Sequence, residues 1–288
     1  MNRKIKNALI VHKKTFFEFY FLRKIKKQKE MSFSASEMAR FRLMHAEHYK
    51  TLDEVERVLK SMDIQYKKTY RKDNIDYRQH DFIVTVGGDG TFLQAARELK
   101  KEKILGVNSD PDRSVGRFCG CTKGNFKTIF NQIFSGEKKA TSIARLSISS
   151  KKHKKIWQAA NDVLICDQNP ATMSRYVLNA NGIKEYQRSS GVWFSTSAGS
   201  TGAIRSAGGR AIKLSSEQFL YQPRELYYCK NHKYQLKGGL LNFSYPVFVK
   251  SSMDDGVIYF DGAHCCATFR FGDKIRISKS RYPLKVFL

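Results

Sequence analysis

Acidic side chains are in short supply in this chain. Asp and Glu number 26 against 52 Lys and Arg, a formal net charge of +26 over 288 residues. Such an imbalance favours anionic partners: nucleotides, nucleic acid or acidic membrane. The basic residues fall in scattered clusters, at 24–29, 100–103 and 151–155, and read as a basic solvated surface. Zinc-finger spacing and RNA-recognition signatures are both missing, so no nucleic-acid partner is expected. Long apolar runs are missing too, which argues against stable membrane insertion. The apolar stretch at 8–11 is too short for a signal-peptide core. Cys119, Cys121, Cys166, Cys229, Cys265 and Cys266 make no Cys-x-x-Cys pair, and no His pattern completes a zinc site. All six read as reduced thiols, which fits a cytoplasmic protein. Internal repeats and low-complexity segments are absent.

What is present begins at residues 81–97. Residues 83–86 are a short β-branched run, the mark of a buried parallel strand. The run ends in Gly87-Gly88-Asp89-Gly90-Thr91, after which Phe92, Leu93, Ala95, Ala96 and Leu99 recur at helical spacing. Strand, glycine turn and helix in that order leave the helix's first N–H groups facing the turn, where phosphate is the natural guest. A carboxylate there would repel bare phosphate. Asp89 is therefore expected to bind a hydroxyl or a cation, or to take a proton.

Around this stretch the first part reads strand (7–12), helix from Ser36, strand (64–70), strand, helix, strand (104–108). A capping box at Thr51-Leu52-Asp53-Glu54 predicts a second helix start. The pattern is that of a doubly wound α/β domain, with ligands at the carboxyl ends of its strands. The Gly87–Thr91 turn and Asn108 both lie at such ends. After about residue 138 the pattern changes. Strands are predicted at 145–149, 162–166, 176–180, 192–196, 242–250, 257–260, 268–271 and 274–278, with alternation clearest at 145–149. The expected organisation is an α/β nucleotide-binding domain over 1–138 and a mostly-β domain over 139–288, with 136–139 as linker. The aromatic run at 16–22 is assigned to neither a helix nor a loop.

A second tract, residues 189–209, runs from a strand into Ser, Thr, Gly and Ala. Small hydroxyls and backbone N–H groups can crowd a nucleotide without filling its space. A Ser/Gly-rich surface loop has the same composition.

The Gly-Gly-Asp-Gly-Thr turn resembles a signature shared by NAD kinases, lipid kinases of the diacylglycerol and sphingosine type and, more loosely, phosphofructokinases. The second tract is similar to the NAD-kinase motif Ser-Thr-Pro-Thr-Gly-Ser-Thr-Ala-Tyr, matched in register by Ser195, Thr196, Gly199, Ser200 and Thr201. Ser197, Ala198, Gly202 and Ala203 depart from it. Asn161-Asp162 stands where that family has Asn-Glu, Asp261-Gly262 resembles its late Asp-Gly, and residues 271–277 with Tyr282-Pro283 resemble its closing hairpin. Gly106-Val107-Asn108-Ser109-Asp110-Pro111 resembles the plant NADH-kinase and mitochondrial-type branch more than the common bacterial form. The resemblance covers about residues 80–285.

It implies an NAD kinase/diacylglycerol kinase-like fold and phosphoryl transfer from ATP to the 2′-hydroxyl of the adenosine ribose of NAD or NADH, with Mg²⁺ on the donor. It implies Asp89 as the base, Gly87, Gly88, Gly90 and Thr91 as the phosphate cradle, and Asn108 beside them. Asn161 and Asp162 would hold the dinucleotide, with Ser195, Thr196, Gly199, Ser200 and Thr201 lining its pocket. It also implies a homo-oligomer, and a further C-terminal tail returning to the first domain, which this chain is too short to supply. A lipid kinase and a catalytically inactive dinucleotide sensor are the alternatives.

Overall fold

The structure is a computed structural model that describes residues 5–22, 33–228 and 233–288. The basic cluster at 24–29 and Cys229 lie outside the described residues. Two compact units emerge, one of residues 1–142 with 285–288, the other of residues 143–284.

The first unit is built on a mainly parallel sheet. In chain order its elements are β1 (Asn7–His12), α1 (Ala35–Ser61), β2 (Gln65–Tyr70), β3 (Phe82–Gly87), α2 (Asp89–Ala96), β4 (Lys103–Asn108), β5 (Cys119–Thr122), α3 (Phe126–Ser135) and β6 (Thr141–Ile143). The sheet order is β2-β1-β3-β4, then the strand Leu284–Phe287, then β6, with β5 also paired to β4. β1 pairs in parallel with both β2 and β3, and β3 with β4. The chain thus moves outward from β1 to β2 and returns to lay β3 on the opposite side of β1. That reversal is a topological switch point, and it opens a crevice at the carboxyl ends of β1 and β3.

Every residue of β3 is buried, and in β1 so are Ala8, Leu9, Ile10 and Val11. Both faces of the sheet are therefore covered, which is why these strands read as continuous apolar runs. One face packs Ala8, Ile10, Val84 and Val86 against Val55 and Leu59 of α1 and Phe126 and Phe130 of α3. Each such aliphatic or aromatic side chain contributes about 1.5–3 kcal/mol by leaving water.

Helix α1 differs from expectation. It begins one residue earlier than Ser36 and runs unbroken for 27 residues. Its start is set by a capping box of Ser34 and Glu37: Ser34 N donates to the Glu37 carboxylate, and Glu37 N donates to Ser34 Oγ. The predicted box at Thr51–Glu54 caps nothing. Thr51 Oγ1 donates to the Glu47 carbonyl at 2.8 Å, four residues back. This back-bond satisfies the hydroxyl inside a helix that no Pro or Gly interrupts. The aromatic run resolves into a π-helical turn, Glu18–Leu22, with Tyr49 of α1 donating to Glu18. Phe16, Phe21, Phe33 and Phe41 stack against one another beside it.

The predicted absence of a tail returning to the first unit is corrected. Leu284–Phe287 forms an inner strand of the first sheet, parallel to β4. Sequence reading assigned these residues to the second half because only four positions carry the pattern.

The second unit holds two antiparallel sheets. One has the order β11-β10-β15-β18-β7-β8, from β7 (Leu146–Ser150), β8 (Trp157–Ala159), β10 (Ser174–Ala180), β11 (Ile183–Ser189), β15 (Val247–Ser251) and β18 (Lys274–Lys279). The other has the order β14-β13-β12-β9-β16-β17, from β9 (Asp162–Asp167), β12 (Val192–Ser195), β13 (Gln218–Pro223), β14 (Gly239–Asn242), β16 (Gly256–Phe260) and β17 (Cys266–Thr268). Their inner faces share one core, including Ile148, Tyr176, Val249 and Ile277 from the first sheet with Val163, Phe194, Phe219 and Phe260 from the second. The single strand expected at 242–250 is two, β14 and β15, parted by a turn in which Tyr245 N donates to the Asn242 carbonyl. Among the described residues no helix is long and apolar enough to cross a membrane.

Candidate nucleotide-binding residues in each unit

The predicted site residues fall in two groups, one in each unit. In the first unit, β3 runs into Gly87-Gly88 and α2 begins at Asp89. Thr91 N and Phe92 N both donate to the Gly88 carbonyl, and Gly88 caps α2 with no side-chain bond. The glycines here are required by contact. A Cβ on Gly87 would lie 2.4 Å from Thr91 Oγ1, and one on Gly88 would lie 2.6 Å from Ser114 Oγ. Gly90 is exposed and has room.

Asp89 is held from outside its own helix. Its two carboxylate oxygens accept the backbone N–H groups of Arg117, at 3.0 Å, and Phe118, at 2.8 Å. The carboxylate is thereby fixed in orientation at the helix's first turn, half-exposed at the edge of the turn. Thr91 is buried, and its hydroxyl accepts from Arg71 Nη1 at 3.4 Å.

Asn108 stands opposite Gly87 in the β3–β4 register, and Ser109 N donates to the Gly87 carbonyl. The Asn108 side chain is buried and committed to its own loop. Its Nδ2 donates to the Ser114 carbonyl at 2.8 Å, and its Oδ1 accepts from Asp110 N. Gly116, at φ +58°, lets the loop close against that amide, where a Cβ would come within 2.3 Å of Asn108 Nδ2. Asn108 thus shapes the loop that delivers Arg117 and Phe118 to Asp89. A cavity of about 300 Å³ opens beside it, lined among others by Asp110, Arg113, Glu47 and Lys123.

Sequence reasoning passed over the cations here. Lys13 follows β1 and Arg71 follows β2, so both stand at the switch-point crevice. His48 of α1 is fully buried beside them, bonded through Nδ1 to Ser109 Oγ, and burial pushes its imidazole down to about 3. No motif announces these residues. The signal available was their place directly after two predicted strands.

In the second unit, Asp162 opens β9 and pairs with Ser195 at the end of β12. Asn161 Nδ2 donates to Asp162 Oδ2 at 2.8 Å. Asp261, left off the candidate site although its Asp-Gly was noticed, organises this corner. Its carboxylate accepts the N–H groups of Ala160, Asn161 and Asp162. It sits at φ +49°, followed by Gly262 at +96°, in the turn after β16. Burial pushes the Asp162 carboxyl up to about 7, and the Asp261 charge adds to the shift.

The Ser/Thr tract was expected to line a pocket with hydroxyls. Ser195, Thr196, Gly199 and Ser200 are instead buried, and the hydroxyls turn inward. Ser195 Oγ donates to the Asn161 carbonyl, Thr196 Oγ1 to the Ala160 carbonyl at 2.6 Å, and Ser200 Oγ to the Ser197 carbonyl. A buried hydroxyl needs such a partner, and here the partners are the carbonyls of the turn itself. Gly199 packs so closely that a Cβ would lie 2.2 Å from the Asn161 carbonyl oxygen. Thr201 and Gly202 are half-exposed, and Gly202 faces the Asn161 amide. The tract is a rigid frame for Asn161 and Asp162, and its open edge is at 201–202.

The thiols of Cys119, Cys121, Cys166 and Cys266 are free. Burial pushes Cys119 and Cys121 up to about 12 and Cys166 to about 11, which makes these three poor nucleophiles. Among the described residues no three His, Cys, Asp or Glu side chains converge as a metal cage.

Comparison with known proteins follows the same outline. The ATP-NAD kinase N-terminal domain family matches residues 9–137. A probable NADH kinase of Oryza sativa subsp. japonica is 31% identical over 264 residues, covering 84% of this chain and 81% of that protein. An NADH kinase of Arabidopsis thaliana is 29% identical over 272 residues, with 84% and 83% covered. The crystal structure of an NAD kinase from Archaeoglobus fulgidus in complex with ATP matches 98% of this chain and 93% of its own, with a TM-score of 0.71 at 21% identity. That of yeast NADH kinase complexed with NADH matches 98% and 83%, with a TM-score of 0.72 at 16% identity. The two solved structures share the fold, and the plant sequences carry the relationship further: the chain belongs to the NAD kinase family.

Proposed function

We propose that this protein is an NAD(H) kinase, moving the terminal phosphoryl group of ATP to the 2′-hydroxyl of the adenosine ribose of NAD or NADH. The observation that carries the reading is the fixed carboxylate of Asp89 at the Gly-Gly-Asp-Gly-Thr turn of a chain in this family. In the step, the ribose oxygen forms its bond to phosphorus while the bond from phosphorus to the leaving oxygen of ADP breaks. The hydroxyl proton passes to the Asp89 carboxylate. Phosphoryl transfer rests mostly on positioning and charge neutralisation. The turn at Gly87–Thr91 supports the first, with N–H groups of α2's first turn directed at the donor.

Mg²⁺ would come with the donor and supply charge neutralisation there, as is usual for an ion that keeps few protein ligands. Asn161 and Asp162 would hold the dinucleotide, framed by Ser195, Thr196, Gly199, Ser200 and Thr201. A homo-oligomer and a cytoplasmic location complete the reading, the first taken from the family resemblance and the second from the free thiols.

The test is NADP(H) formation by purified protein with Mg-ATP, offered NAD and NADH separately, with Asp89→Asn as control. Product that vanishes in the control supports the assignment and names the acceptor. No product from folded protein with either acceptor overturns it.

A further inference from the structure

Among the described residues, two cations at the switch-point crevice, Lys13 and Arg71, form no ion pair, though Asp110 attracts Lys13 from a distance. Arg71 directly follows β2. Its backbone is pinned from both sides: its N–H donates to the His12 carbonyl at 2.9 Å, and its carbonyl accepts from Gln94 Nε2 of α2 at 2.7 Å. The guanidinium lies against the glycine turn. Nη1 is 3.4 Å from Thr91 Oγ1 and would be 3.7 Å from a Cβ on Gly90. Its Nε is buried and has no hydrogen-bond partner, which in a native structure calls for an explanation. Lys13, half-buried after β1, is close enough to feel both Arg71 and Asp110. Its ammonium is held below its usual range by burial first and by Arg71 repulsion besides, with Asp110 working the other way.

The acids nearby are used elsewhere. Asp89 accepts the N–H groups of Arg117 and Phe118. Asp110 accepts from Arg113 Nη1 at 2.8 Å. Asp73, in the turn after β2, accepts from Thr69 Oγ1 and Tyr70 N. Arg71 thus lies against the first turn of a helix that no side chain caps, with the half-buried Lys13 near enough to repel it. Such an arrangement is unfavourable until an anion arrives. A chain of phosphates is the anion whose length and charge suit a turn flanked by two cations, and a guanidinium can bind it in a forked manner.

We infer that Arg71, with Lys13 beside it, grips the phosphate chain of the phosphoryl donor against the Gly87–Thr91 turn. This rests on the kinase reading for the identity of the donor, but the phosphate grip itself can be measured without turnover. The probes are inorganic tripolyphosphate and ATP, titrated by calorimetry into the full-length wild-type protein and into Arg71→Gln, Arg71→Lys and Lys13→Gln, with steady-state kinetics in parallel.

Arg71→Gln is expected to weaken tripolyphosphate and ATP at least tenfold and to raise the KM for ATP by a similar factor. The KM for NAD(H) should stay within about twofold, a split that a merely structural role would not produce. Arg71→Lys should recover part of the affinity, because it restores the charge without the fork, and it stands in if Arg71→Gln does not fold. Lys13→Gln should show a smaller loss of the same kind. Wild-type protein that ignores tripolyphosphate, or folded Arg71 variants that bind both probes like wild type, would overturn the inference. Arg71-dependent tripolyphosphate binding in a protein that makes no NADP(H) would uphold the grip and sink the kinase reading instead.

Discussion

Asp89 and Asp162 are carboxylates that the structure treats in opposite ways. Asp89 is aligned by two backbone N–H donors at the edge of a helix start. Asn in its place keeps the shape but presents one acceptor oxygen instead of two, and takes up no proton. Turnover of Asp89→Asn is expected to fall by a factor of about 10²–10⁴, with stability lower by about 1 kcal/mol for the lost bond; assays of NADP(H) formation beside a urea melt would check both. Asp162 is buried against Asp261, and its folded value of about 7 lies above its ordinary 3.8. A raised carboxyl contributes stability that is complete below about 3.8 and is lost as pH rises to about 7. Asp162→Asn should flatten that slope, which amounts to a few kcal/mol across the window. Urea melts at pH 4 and pH 7.5 would show it, and an unchanged slope would refute it. At this scale the place of Asp89, at a helix start directly after a buried strand, was legible from the glycine turn that joins them. Arg71 was not, because its meaning depends on β2 ending beside α2, a tertiary fact. The inward turn of the Ser195, Thr196 and Ser200 hydroxyls was equally hidden, since composition does not say which way a hydroxyl points.

Among the elements, some continuous apolar runs were read correctly, while α3, β11 and β13 were missed. β3 and β4 stand where their β-branched runs put them. β11 went unseen because its inward residues are Glu185, Gln187 and Ser189, all buried, while Tyr186 between them faces out at 42% exposure. Hydropathy there runs against burial. Glu185 is satisfied by Gln187 Nε2 and by the N–H groups of Gln235 and Leu236, contacts that belong to the fold and not to the strand. In α1, the Thr51 back-bond and the Ser34–Glu37 box explain why one helix stands where two starts were visible. The turn after β12 offers a sharp test. Gly199→Ala places a methyl against the Asn161 carbonyl at a distance no real contact adopts, and the obstacle is backbone. The expected cost is about 2–4 kcal/mol, together with weaker NAD(H) binding because Asn161 must move. Thermal unfolding and dinucleotide titration would measure the two effects. Gly90→Ala, whose methyl would meet only the Arg71 guanidinium at an ordinary 3.7 Å, should cost far less.

On the scale of the whole molecule, the fold class was legible because two regimes of periodicity meet near residue 140. The boundary was less so. The first unit closes only with residues 285–288, which lie far from the rest of it in sequence. Deleting residues 284–288 removes an inner strand, leaving the open edges of β4 and β6 and the Phe287 ring's place beside Phe82 unfilled. The truncated protein is expected to lose about 3 kcal/mol or more of stability and to aggregate; light scattering and a melting curve would report it, and a soluble, wild-type melt would argue against the strand's importance. The same strand has a consequence for synthesis. A ribosome emitting this chain releases the β1–β4 nucleus early, but one neighbour of β4, Leu284–Phe287, follows only after the second unit. The first unit must then wait, with one edge unsealed, while some 140 residues are translated and folded. The glycine turn is therefore expected to mature only once Leu284–Phe287 has been made, so that a product cut short before it is not a working enzyme.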